Sequence, residues 1–339
     1  MDADSESSMQ RQKVSVLVPF HRERELLARA VRSVQQQTVS EWQLVLVANN
    51  ADSETVNIAH SMAQDDRRIS LLTEDKPGIA YALNTGLQAC SGDYVARLDA
   101  DDAMPPDRLE LQSAYLDTHA ETSLVSGQVE FVTENGAGYN AYVDQINGWK
   151  TPAEMFRYRF VESPVAHPSV MFRRSLITKH GKYSTEPIPE DYELWLRWLT
   201  RGERFDKIDS CVLYWHDTPG RLSRSHAHYA RQAFDRVRLQ YLAQTIPLLA
   251  AGRPVWVCGG RYARRKATAL AKLGIRITGI VDLVPRTLQG MQSMTYDDLP
   301  QPGSIYLISM VSNRGGYRIV EDVLLNKGYR SEIDFLLSA

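Results

Sequence analysis

Apolar and polar positions alternate between two periods along the first hundred residues. Lys13–Phe20 (KVSVLVPF) is a short β-branched run ended by Pro19, the pattern of a buried strand. Leu26, Leu27, Ala30, Val31 and Val34 then recur at helical spacing. Gln43–Ala48 (QLVLVA) predicts a second strand and Ile69–Leu72 a third. Pro77 stands where a helix would open, because its fixed φ suits a first turn. Ile79, Leu83 and Leu87 give that helix an apolar face, and Asp93–Leu98 (DYVARL) predicts the next strand.

Strand and helix alternating at this spacing imply an α/β fold, an open and mostly parallel sheet with helices on both faces. In such sheets ligands bind beyond the carboxyl ends of the strands. Three polar groups follow these strands: His21–Glu23, Asn49–Asp52 and Asp99–Asp102. The pattern therefore predicts that all three gather at one edge of the sheet.

From about Ser123 to Asp217 the chain mixes short strands with one clear helix, Glu190–Thr200. A break near Thr245–Arg253 precedes a second strand–helix alternation: Pro254–Cys258, Arg261–Leu273, Ile275–Asp282, Ser304–Ser309 and Arg314–Lys327. The expected division is a flexible, Ser-rich N-terminal tail (1–12), a catalytic domain (13–249) and a smaller Rossmann-like α/β domain (250–339).

Composition narrows the class. Lys and Arg number 39 against 41 Asp and Glu, a formal charge of −2, which argues against a nucleic-acid surface. Cys90, Cys211 and Cys258 lie far apart, with neither disulfide nor zinc spacing, and fit a reducing compartment. No stretch approaches a signal peptide or the roughly 20 apolar residues of a bilayer span. The expectation is a soluble, cytoplasmic protein.

Asp99-Ala100-Asp101-Asp102 carries the most chemistry. Three carboxylates within four residues repel one another unless a cation or solvent relieves them. Placed after a buried strand, with Pro105 and Pro106 fixing the exit, they form an oxygen-rich site of the kind Mg²⁺ or Mn²⁺ prefers. The bland alternative is a solvated acidic loop that caps the helix from Asp107.

The runs PGIAYALN (77–84), GDYVARLDADD (92–102) with Pro105 and Arg108, HPSVMFRR (167–174) and PEDYELWLR (189–197) lie in one order along the chain. Together they closely resemble family 2 glycosyltransferases over roughly Lys13–Tyr229. The resemblance implies the A-type glycosyltransferase fold, and an inverting transfer of sugar from a nucleotide diphosphate donor to an acceptor hydroxyl. It implies Asp101 as metal ligand, with Asp99 and Asp102 supporting and His216 as a further candidate. It makes Asp191 the catalytic base with Glu190 beside it. Read from the residues alone, Asp191 is a helix cap rather than a base.

For the donor, the resemblance points to Pro19, Phe20, His21, Asn49, Asn50, Asn84, Arg97 and Asp99, with Arg221 and Arg224 on the diphosphate. His167 either lines the donor pocket or is a structural histidine. A UDP-sugar is the favoured donor, although Asn49-Asn50-Ala51-Asp52-Ser53 stands where the family commonly has Asp-Asp-Gly-Ser, and Asp52 is a possible substitute. The acceptor is expected to be a glycan or a lipid-linked sugar, with no more than peripheral membrane contact, in glycan or cell-surface polysaccharide synthesis. Trp195 and Trp198 are either sugar-stacking surfaces or core.

Cys258-Gly259-Gly260-Arg261 partly resembles a dinucleotide fingerprint, but Arg261 replaces a close-approach glycine and the third glycine is missing. A dehydrogenase is therefore disfavoured. So is a nucleotidyltransferase, for want of a Gly-rich, Lys-containing loop at Phe20–Glu25. The remaining rival is a non-catalytic nucleotide-binding or interaction protein derived from the fold.

Overall fold

The computed structural model describes residues 12–133, 140–217, 227–284, 291–311 and 315–339. Nearly all of the tail expected at residues 1–12 lies outside them. The chain forms two compact units. The first comprises residues 1–150, 165–186 and 203–221; the second comprises 151–164, 187–202 and 222–339.

The first unit follows the alternation read from the sequence: β1 (Val14–Phe20), α1 (Arg24–Gln35), β2 (Trp42–Asn49), α2 (Ser53–Asp65), β3 (Ile69–Glu74), α3 (Ile79–Ala89), β4 (Tyr94–Arg97) and α4 (Arg108–Thr118). It continues through β5 (Thr122–Val132) and α5 (Asn140–Gly148). After α6 (Pro152–Arg157), which belongs to the second unit, come β6 (Met171–Arg173) and α7 (Ser175–His180). Then α8 (Glu190–Thr200), again of the second unit, precedes β7 (Arg204–His216).

Seven strands make one sheet in the order β3-β2-β1-β4-β6-β5-β7. The left four run parallel, with Val14 opposite both Trp42 and Tyr94. The three-residue β6 is antiparallel to both neighbours, β4 and β5. Every residue of β1 and β4 is buried, so both sheet faces are covered there, as expected for continuous β-branched runs. Helix–sheet contact is close: a Cβ at Gly86 on α3 would meet Leu17 Cδ1 at 2.2 Å.

Two local expectations need revision. Pro77 does not sit in the first turn of α3; the helix opens at Ile79 behind Gly78, whose φ of +131° favours glycine. The middle of the chain holds long strands as well, with β5 of 11 and β7 of 13 residues.

The second unit is built on a helix spanning Arg231–Ala250, followed by β8 (Val255–Cys258), a helix Arg261–Lys272, β9 (Ile277–Val281), β10 (Gln292–Met294), β11 (Tyr306–Met310), a helix Gly316–Asn326 and β12 (Phe335–Ser338). Its five strands are all parallel, in the order β10-β9-β8-β11-β12. The helix Arg231–Ala250 runs through Pro247 and stops at Ala251 in a left-handed conformation. The break read at Thr245 therefore begins at Ala251. Tyr192 and Leu196 of α8 and Phe160 join the apolar core of this later sheet, with Val257, Ile280 and Ile308. Among the described residues no helix is long and apolar enough to cross a membrane.

Candidate functional site

The carboxyl ends of β1, β2 and β4 bring the three polar groups together in the first unit. His21 Nδ1 lies 2.9 Å from the Asn49 carbonyl. That oxygen only accepts, so Nδ1 carries the proton. Glu23 closes the turn by accepting from the His21 and Arg22 amides at 2.6 and 2.8 Å. Burial raises the Glu23 pKa against these bonds, and the charge of Asp101 adds to it. Arg29 of α1 donates to the Asp101 carbonyl. Pro19 and Phe20 are buried at the end of β1.

The acidic loop is held from several sides. Ala103 and Tyr214 exchange backbone hydrogen bonds of 3.2 and 2.9 Å, which fastens the loop to β7. The His216 amide donates to Asp102 Oδ1 at 2.9 Å. Asp102 is fully buried, whereas Asp99 and Asp101 are half-buried. Asp107 makes no side-chain cap on α4; Gln37 takes that part, accepting from the Leu109 amide at 2.9 Å and donating to Pro105 O at 2.7 Å. The capping role considered for the loop is therefore filled elsewhere.

Carboxylate oxygens of Asp99, Asp101 and Asp102 lie within 4.8 Å of one another. Oxygens sharing one Mg²⁺ at about 2.1 Å each can be no more than about 4.2 Å apart, so modest side-chain movement would bring this hard donor set onto such an ion. Two buried guanidinium groups oppose the negative charge. Arg97, 2 % exposed, pairs with Asp99 at 2.6 Å. Arg108 donates to the carbonyls of Pro168, Arg97 and Val170 at 2.9–3.2 Å. Desolvation, then the nearby Arg97 charge, lowers the Arg108 pKa to about 9, with Asp102 pulling the other way.

His216 reaches this cluster through its backbone; the grouped side-chain donors are the three aspartates. Its Nδ1 faces the Tyr214 carbonyl at 3.0 Å, which places the ring proton there. Arg221 and Arg224 lie outside the described residues.

Several expected donor contacts are occupied by the protein itself. Asn49 Nδ2 donates to the Glu74 and Lys76 carbonyls at 2.9 and 2.7 Å, while Oδ1 accepts from the Gly78 amide at 2.8 Å. Its amide thus latches the end of β2 to the β3–α3 turn. Asn84 clamps the Tyr183 backbone in the same two-sided way, at 2.9 and 3.0 Å. Asp52 is a helix cap, accepting from the amide and hydroxyl of Thr55, which lowers its pKa. Asn50 is exposed in the left-handed region, with φ +51°. His167 is buried against the Tyr183 hydroxyl at 2.8 Å. Desolvation, reinforced by Arg97, keeps it neutral at physiological pH.

Glu190 and Asp191 open α8 in the second unit, where the exposed amides of a helix start favour carboxylates. Glu190 is buried and accepts from the Tyr229 hydroxyl at 2.7 Å. Asp191 is half-buried, and its Oδ1 accepts from the Tyr192 amide at 2.7 Å. Trp195 and Trp198 are fully buried, ring centroids 5.5 Å apart edge-to-face, so they belong to the core and offer no sugar-stacking surface. At the turn after β8, a Cβ on Gly259 would meet Ala263 at 3.0 Å, so this glycine serves helix–strand packing. Asp282, where a dinucleotide site would hold ribose, pairs with Arg264 at 3.6 Å.

Residues 15–181 match the family described as Glycosyl transferase family 2. The amylovoran biosynthesis glycosyltransferase AmsE of Erwinia amylovora is 30 % identical over 191 residues, which span 56 % of this chain and 70 % of that protein. TarS 1–349 of S. aureus, solved with UDP-GlcNAc, superposes with a TM-score of 0.54 at 16 % identity over 77 % of this chain and 71 % of that one. The mannosyltransferase PcManGT of Pyrobaculum calidifontis, solved with GDP-Man and Mn²⁺, gives 0.51 at 20 % identity over 78 % and 70 %. These two share the fold, an A-type glycosyltransferase sheet. With its parallel sheet, its ordered motifs and these relatives, the chain belongs to the family 2 glycosyltransferases.

Proposed function

We propose that this glycosyltransferase is metal-dependent and inverting, and moves a sugar from a nucleotide diphosphate sugar to an acceptor hydroxyl in glycan or cell-surface polysaccharide synthesis in the cytoplasm. The grouping of three aspartate oxygens within 4.8 Å carries this reading. Asp101, with Asp99 and Asp102 and with His216 beside them, would hold Mn²⁺ or Mg²⁺. A divalent ion bound there supplies positive charge to the departing nucleoside diphosphate.

The chain's own residues do the rest. Pro19, Phe20, His21 and Asn50 form the nucleotide end of the site. Asn49, Asn84 and Arg97, engaged with the protein, hold that floor in place rather than meet the donor. Arg221 and Arg224, outside the described residues, would give charge-assisted hydrogen bonds to phosphate oxygens. Asp191 takes the proton from the acceptor hydroxyl as that oxygen attacks the anomeric carbon. Attack comes from the face opposite the diphosphate, whose bond to the sugar breaks with inversion. Glu190 orients the acceptor or the base. Residues 13–249 carry this chemistry, and 250–339 form the sheet of the appended Rossmann-like domain, into whose compact unit residues 151–164, 187–202 and 222–249 also fold.

The related folds solved with UDP-GlcNAc and with GDP-Man and Mn²⁺ support a nucleotide-sugar donor. AmsE, a protein of amylovoran biosynthesis, supports a polysaccharide setting. The test is donor hydrolysis and transfer across UDP-, GDP- and dTDP-sugars with Mn²⁺, comparing wild type with Asp191→Asn and Asp101→Ala. Turnover by wild type alone is expected. If wild type binds a donor nucleotide without turnover, the chain is a non-catalytic nucleotide-binding protein, and if it binds none, an interaction protein derived from the fold. Full transfer by Asp191→Asn would remove the base assignment.

A further inference from the structure

The first turn of α8 is joined to the turn before β12 by a short chain of contacts. Tyr192, next to Asp191, is fully buried, and its hydroxyl donates to the Arg159 carbonyl at 2.7 Å. Arg159 is 1 % exposed, with its guanidinium 3.7 Å over the Phe156 ring and 4.7 Å over that of Phe160. It donates through Nη2 to Glu332 Oε2 at 2.8 Å.

Glu332 occupies a costly place. Its φ of +63° lies in the left-handed region, where a side chain is strained and glycine would relax the backbone. Its carboxyl pKa is raised by burial, partly offset by Arg159. Its Oε1 has no hydrogen-bond partner among the described residues. Backbone stability alone would favour glycine here. The buried guanidinium of Arg159 supplies the reason for a carboxylate, because an uncompensated charge at that depth is strongly unfavourable. Strain of this kind persists where the surroundings over-determine it, and such places cluster at functional sites.

We propose that Glu332 and Arg159 are positioning residues for sugar transfer: they fix the Arg159 carbonyl and, through Tyr192, set Asp191 and Glu190 at the start of α8. The appended sheet is then a working part of the transferase. The inference rests on the reading of Asp191 as base. Tyr229 on Glu190 and Tyr241 on Glu193, at 2.7 and 2.5 Å, hold α8 independently, so losing the strut shifts the helix rather than melting it.

The test uses full-length Tyr192→Phe, Glu332→Gln, their double variant and Glu332→Gly, with kcat, donor KM and thermal melting measured for each. Each single variant should lose about five- to twentyfold in kcat with donor KM held within about twofold, because small misplacements of a reacting group are expensive. The double variant should be no slower than the worse single by more than about twofold. Glu332→Gly, despite its relaxed backbone, should lose as much as Glu332→Gln. Unchanged kcat in folded Tyr192→Phe, multiplying losses in the double, or a loss seen in KM alone would each overturn the strut. Should Glu332→Gln fail to fold, Tyr192→Phe, which keeps the ring volume, decides. Dead Asp191→Asn with fully active Tyr192→Phe removes the strut alone. Active Asp191→Asn removes the base reading first.

Discussion

Asn49→Asp separates a latch from a ligand contact, because it restores the residue type common in the family at a position where the structure needs an amide. Asn49 Nδ2 gives two hydrogen bonds to carbonyls at 2.9 and 2.7 Å. Each contributes about 1 kcal/mol net, so aspartate loses about 2 kcal/mol, and a carboxylate facing two carbonyl oxygens brings the total to about 2–3 kcal/mol. At about 2–4 °C per kcal/mol for a unit of this size, the melting temperature falls by about 4–12 °C. The pH dependence has a definite sign. The new carboxylate has its folded pKa raised above the unfolded value of about 3.9, since the protonated acid can donate to one carbonyl. The deficit is therefore full above the folded pKa and shrinks as pH falls through it. Thermal melts of wild type and variant at pH 7.5 and pH 5, with and without UDP, check this. A variant as stable as wild type at pH 7.5, and stabilised more by UDP, would refute the latch.

Two stability predictions concern the same unit. Desolvation opposes ionisation of Glu203, but hydrogen bonds from Lys179, Ser123 and His180 outweigh it and hold its pKa at about 2 against an ordinary 4.5. Its stabilisation, about 3 kcal/mol at most, is present above pH 4.5 and lost as pH falls from 4.5 towards 2. Wild-type and Glu203→Gln melting curves should therefore differ at pH 6 and converge at low pH. Arg108→Met removes three hydrogen bonds from a charged group to buried carbonyls, Val170 O retaining the Arg97 amide at 3.0 Å, and should cost at least about 4 kcal/mol, read as a lower denaturation midpoint. Arg108→Lys should recover little of it, since an ammonium lacks the planar fork.

The segments β1–α1–β2 and β3–α3–β4 were legible because their strands are apolar runs and α1 and α3 keep a 3.6-residue face, whereas α2, which buries Thr55 and Ala59, shows no such face. Convergence of His21, Asn49 and the acidic loop followed from strand direction alone. What was not legible is non-local. Phe160, Tyr192 and Leu196 pack with a sheet that begins at Val255, and no local period reports such a pairing. The three-residue β6 is too short to show alternation. Asn49 and Asn84 were read as ligand contacts because an amide offers the same donors and acceptors to a nucleotide as to a backbone. Only the carbonyls of Glu74, Lys76 and Tyr183 decide which it meets. Trp195 and Trp198 carried two readings until burial chose the core.

The proposed transfer requires that the acidic loop bind a divalent ion. Titration of Mn²⁺ followed by electron paramagnetic resonance, with UDP or GDP present, tests it directly in wild type and Asp101→Ala. Wild type should hold a single ion tightly, the variant should bind it at least about a hundredfold more weakly, and chelation should abolish transfer that Mn²⁺ then restores. Equal Mn²⁺ binding by both proteins, or full transfer after chelation, would contradict it.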